Sequence, residues 1–86
     1  MSFLSDNVIP GNHGKVFETN ATFNYDLNLI KTKIASIDGV KRVSINTDVF
    51  PKEFKIRTSK LVPDKVIEDA VISLGFHVIA KEMLPL

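Results

Sequence analysis

Ile30-Lys31-Thr32-Lys33-Ile34-Ala35-Ser36-Ile37-Asp38-Gly39-Val40-Lys41-Arg42-Val43-Ser44-Ile45 changes its hydrophobic period part-way along. Ile30, Ile34 and Ile37 recur every three or four residues, as one face of a helix does, whereas Val43 and Ile45 recur every second residue, as one face of a strand does. Gly39 stands at the switch, where a residue able to take a left-handed backbone ends a helix at little steric cost. The reading is helix, glycine stop, strand. The same order returns in the second half: Val66, Ile67, Ala70, Val71 and Leu74 form a helical stripe, Gly75 is the stop, and Phe76, Val78 and Ala80 alternate in a closing strand.

Outward from these two units, residues 15–23 alternate, with Phe17, Thr19, Ala21 and Phe23 on one side and Val16, Glu18, Asn20 and Thr22 on the other, which predicts a first strand. Asp26 offers a carboxylate as N-cap to a helix whose apolar stripe begins at Leu27. Residues 40–48 and 52–59 alternate around Val43-Ile45 and Phe54-Ile56 and are separated by Val49-Phe50-Pro51, which predicts a hairpin. Pro63 suits the first turn of the second helix, since its φ is helical and its missing N–H would be unpaired there. The predicted order is βαββαβ. It implies an α+β, ferredoxin-like fold with a four-stranded antiparallel sheet and two helices on one face. Residues 15–82 form the domain, 1–14 an N-terminal extension and 83–86 a C-terminal tail. Phe3, Leu4, Val8 and Ile9 make that extension too apolar for a solvated tail.

If both helices cover one side, the open face carries Glu18, Asn20 and Thr22, then Arg42, Ser44 and Asn46, then Lys55 and Arg57, then His77, Ile79 and Lys81. This face is expected to be polar and mildly basic, with Lys55 and Arg57 pairing with Glu18 across the sheet. On helix two, Asp64, Lys65, Glu68 and Asp69 are expected on the solvated side.

The paired helix–Gly–strand units, the Gly39-Val40 after helix one and the Leu74-Gly75-Phe76 after helix two resemble the heavy-metal-associated domain of soft-metal chaperones and transport ATPases over residues 15–80. That family holds a soft ion on a C-x-x-C pair ahead of helix one, with an aromatic residue or lysine from the loop after helix two close by. Counting back from Gly39, the cysteine positions fall on Phe23 and Asp26 of Phe23-Asn24-Tyr25-Asp26, and Phe76 fits the aromatic position. The chain has no cysteine. A phenyl ring cannot coordinate, and one carboxylate is a hard ligand poorly matched to Cu(I). The resemblance therefore implies a domain that has lost its metal site. Such a domain is expected to be a non-catalytic accessory or protein-interaction module, with metal homeostasis as the setting the resemblance implies, and the loop 23–26 with Phe76 is the surface to test. Phe23 is expected in the core and Asp26 as helix cap.

Two rival readings come from other classes. A carrier or sensor of a transition-metal ion could use His13, Asp26, His77 and Met83 in place of thiolates. A self-associating unit could cover Phe3, Leu4, Val8 and Ile9 of one chain with another, or pair through the open sheet face. Catalysis is not expected: no serine lies in a nucleophile elbow, no phosphate cradle is present, and the loop after strand one lacks the glycines and arginine that acylphosphatases of this topology use. Nucleic acid is not expected either, because RNA recognition motifs stack bases on sheet-face aromatics that the open face lacks, and a net charge of +1 gives no broad pull toward polyanions. The first fourteen residues do not read as a signal peptide and no apolar run approaches a membrane span. The expectation is a chain that is not inserted in a membrane, cytoplasmic, with a protein partner and no cofactor.

Overall fold

The computed structural model describes residues 7–11 and 14–81. Among the described residues eight elements follow one another: β1 (Asn7–Val8), β2 (Lys15–Thr19), α1 (Asn24–Ala35), β3 (Val40–Asn46), β4 (Glu53–Thr58), β5 (Val62–Pro63), α2 (Asp64–Ile72) and β6 (Val78–Ala80). They make a small α+β domain with two helices and two antiparallel sheets. The larger sheet has the order β3-β4-β2-β6, and β1 pairs with β5 in a separate two-stranded ladder.

The period switch predicted at Gly39 is realised in the backbone. Leu27, Ile30 and Ile34 are buried on the inner side of α1 and Ile37 packs against the same core. Gly39 has a φ of +95° and Gly75 of +90°, so both turns that lead from helix to strand use a backbone an L side chain rarely adopts. The helices themselves end slightly earlier, at Ala35 and Ile72. Phe17, Val43, Phe54, Ile56 and Val78 point from the sheet into the core that the two helices close with Ile34, Ile67 and Val71. Alternate strand residues such as Ser44 and Lys55 are exposed, which leaves the second face of the sheet open.

Four expectations are corrected. β2 stops at Thr19, so the alternation that put Phe23 in the core does not extend to it, and Phe23 is 73% exposed. Val66 lies off the inner stripe of α2 and is also exposed. Asp64 is not on the solvated side. It opens α2 facing inward, is buried, and pairs with Lys15 at 2.7 Å. Finally, residues 1–14 are not wholly outside the domain. Val8 is fully buried in the core and Asn7–Val8 pairs with Val62–Pro63, so Val8 is already spent on its own chain and cannot cover another. Phe3 and Leu4 lie outside the described residues. No helix among the described residues is long and apolar enough to cross a membrane.

Candidate functional site

Strand register brings three loops to one end of the sheet. Thr19, at the end of β2, stands opposite Val78 at the start of β6, and Glu18 stands opposite Glu53 at the start of β4. The segment leading into α1, the β3–β4 turn and the α2–β6 loop therefore meet there. Thr19 pins them together. Its N–H donates to the Lys52 carbonyl at 3.0 Å, and its Oγ1 donates to the His77 carbonyl at 2.8 Å and accepts from the Ala21 N–H at 3.3 Å. Asn20 adds a second tie, its Oδ1 accepting from the His77 N–H at 2.9 Å. Thr19 is buried, and a buried carbonyl or N–H that loses its partner bears its full desolvation cost. Thr19→Val keeps the β-branched shape and removes the hydroxyl. It is expected to lower the unfolding free energy by about 1–2 kcal/mol and to speed amide exchange at Ala21. Urea unfolding and hydrogen exchange read both, and an unchanged Ala21 rate would show that this hydroxyl does not hold the loops.

Between these loops lies an open cleft of about 380 Å³. Glu18 and Thr19 line it from β2, Asn20 and Thr22 from the segment after it, Phe50 and Pro51 from the β3–β4 turn, and His77 and Ile79 from the α2–β6 side. Phe50 is 81% exposed and Ile79 68%. Exposed apolar side chains are individually ordinary, but two flanking a concavity form a surface that gains from being covered.

The charges of the open face are sorted along the strands. At the cleft end, one row across the sheet reads Asn46, Glu53, Glu18, Ile79. The next row holds Ser44, Lys55 and Val16, and beyond it Arg42 stands opposite Arg57. The face is thus acidic at the cleft and basic at the far end, rather than evenly mildly basic. The expected pairing of Glu18 with Lys55 or Arg57 does not form, because register places Glu18 opposite Glu53 and Lys55 opposite Val16. Lys81 Nζ instead donates to Glu53 Oε2 at 2.9 Å. That hydrogen bond, then the Glu53 charge and more weakly that of Glu18, hold the Lys81 ammonium above its ordinary pKa. At another exposed pair, the hydrogen bond and charge of Lys60 hold the Asp38 carboxyl below its ordinary range.

The residues singled out from the sequence are only partly brought together. Phe23 is the N-cap residue of α1 with an extended backbone, and Asn24 and Tyr25 are exposed in the first turn. Asp26 is not the N-cap. It lies within the first turn and makes no capping hydrogen bond, although its charge favours the helix N-terminus. Phe76 is partly buried against the core rather than displayed. Of the alternative metal set, His13 and Met83 lie outside the described residues, and among the described residues no group of three or more His, Cys, Asp or Glu side chains assembles. Strand parity puts Glu18 and Ile79 on the open face, whereas Asn20, Thr22 and His77 lie beyond the strand ends and reach the cleft through its loops. Phe50 carries no site signal in the sequence, where it falls in the Val49-Phe50-Pro51 interruption of the hairpin.

Neither a protein-family model nor a curated protein matches the sequence.

Proposed function

We propose that the chain is a non-catalytic protein-interaction module of the ferredoxin-like βαββαβ type, related to the heavy-metal-associated domains and lacking their thiolate site. Its partner docks at the cleft end of the sheet. The fold reading is supported by the strand order β3-β4-β2-β6 with every neighbouring pair antiparallel and a helix after β2 and before β6, as two interleaved βαβ units would give. The docking reading rests chiefly on Phe50 and Ile79 standing exposed on either side of the cleft. Phe23 and Tyr25 are further exposed aromatic residues near the N-terminus of α1. Metal homeostasis is the setting that the family resemblance suggests.

Cross-linking in extracts of the cells that produce the protein tests this reading, comparing wild type with a Phe50→Ser/Ile79→Ser double variant of matched thermal stability. A discrete cross-linked species that the double variant loses is expected; a species formed equally by both would move the docking surface elsewhere. Titration with Cu(I), Zn(II) and Ni(II) against competing chelators separates the carrier reading. One-to-one binding that His77→Ala and His13→Ala abolish would replace the interaction module with a metal carrier.

A further inference from the structure

We propose that the group received by the cleft is the long cationic side chain of an arginine on the partner protein, its guanidinium directed at Glu18 and its aliphatic stem and plane laid against Phe50 and Ile79. The inference rests on docking at this end of the sheet and adds the chemistry that is recognised there.

Three observations carry it. First, the charge at the cleft is incomplete. Glu18 and Glu53 stand directly opposite each other on adjacent strands, an unfavourable arrangement of like charges, and the nearby ammonium of Lys81 is hydrogen-bonded to Glu53. Two carboxylates and one ammonium leave one negative charge, and among the described residues the Glu18 carboxylate makes no hydrogen bond or ion pair, its charge acting on the Lys81 ammonium only weakly, behind that of Glu53. Second, Glu18 lines the cleft while still half-buried, so a charge brought to it is less screened than on open surface. Third, the walls are apolar and one is aromatic. Phe50 offers an exposed ring to a planar cation, and Ile79 offers an aliphatic surface to methylenes. A cleft of about 380 Å³ lies at the small end of the range for ligand sites. It suits one long side chain better than a large cofactor. Arginine meets these conditions more fully than lysine, because its guanidinium can stack on the ring and donate to the carboxylate together. An acidic or phosphorylated partner would meet Glu18 and Glu53 at this end; the basic row of Arg42 and Arg57 lies at the other.

The test is an NMR titration of the full chain with two blocked five-residue peptides, one with a central arginine and one with citrulline, its uncharged near-isostere. The arginine peptide is expected to shift the amide signals of Glu18, Asn20, His77 and Ile79 at millimolar to submillimolar concentration, more weakly at high salt. Citrulline in the peptide, or Glu18→Gln in the protein, is expected to weaken binding about three- to fivefold, as for a partly exposed ion pair. Phe50→Leu, which keeps an apolar wall and removes the ring, is expected to weaken the arginine peptide more than the citrulline peptide. Equal binding of both peptides at the cleft overturns the cationic assignment and leaves docking at this end standing. No shift at the cleft with either peptide also overturns the assignment, and the cross-linking comparison of Phe50→Ser/Ile79→Ser then decides separately whether the docking end itself stands.

Discussion

Phe54→Ala is expected to remove about 3–5 kcal/mol of stability, from about a quarter to all of what a domain of 86 residues has at about 0.05–0.15 kcal/mol per residue. Phe54 is fully buried on β4, a strand paired on both sides, and its register partners are Phe17 on β2 and Ile45 on β3. Three side chains from three strands thus meet in one row beneath the helices. Removing the ring loses its transfer free energy and leaves a cavity that a row fixed by two ladders cannot easily collapse. Urea unfolding is expected to show a much lower midpoint with little change in slope. A loss below about 1 kcal/mol would be incompatible with this core.

The second large effect concerns a charge on the inner side of the molecule. Lys15 Nζ lies 2.7 Å from Asp64 Oδ2, with only 16% and 9% of the two side chains exposed, and it also donates to the Asn7 carbonyl at 3.3 Å. One ammonium therefore joins β1, β2 and the first turn of α2, where the carboxylate is also favoured by the helix N-terminus. The Phe17 ring lies beneath the same ammonium, 6.0 Å from it to the ring centroid. Asp64→Ala takes the buried carboxylate away from an ammonium that has little contact with water. It is expected to cost about 2–3 kcal/mol, below the 3–5 of a fully buried pair because Lys15 keeps some contact with water. The Lys15→Met/Asp64→Leu double variant is expected to recover most of that loss, since an apolar pair of similar size avoids the desolvation of both ions. Chemical unfolding of the two single variants and the double variant gives the coupling directly. A single-variant cost under about 0.5 kcal/mol would reduce the pair to an ordinary surface contact.

The same pair bears on how the N-terminal segment is tested. Because Val8 is fully buried and Asn7 touches Lys15, truncation through residue 12 removes core and ion-pair contacts together. A change in oligomeric mass after truncation would therefore mix loss of stability with loss of an interface. The cleft variants Phe50→Ser and Ile79→Ser avoid this, since both side chains already face solvent.

Repeating local periods carried most of the architecture into the sequence. Ile30, Ile34 and Ile37 against Val43 and Ile45 announced a helix, a glycine turn and a strand, because burial on one face repeats every 3.6 residues in a helix and every two in a strand. Gly39 and Gly75 were legible as stops because positive φ is cheap for glycine alone. Strand parity also assigns Glu18 and Ile79 to the open face. The misses occur where the period ends or where partners are remote. Phe23 leaves the core because the ladder stops four residues before it, a boundary that β2 owes to its neighbours β4 and β6. Asp64 turns inward because Lys15, 49 residues earlier, waits there to pair with it. Val8 enters the core through a two-residue ladder with β5 that alternation is too short to reveal. Phe50 becomes the wall of a cleft only when Thr19 ties the β3–β4 turn to the loop before β6. Local periodicity and glycine punctuation determine the elements and their faces, since both act within a few residues. Which side chains meet at the cleft and beneath α2 depends on strand register and long-range pairing, and these exist only once the chain has folded.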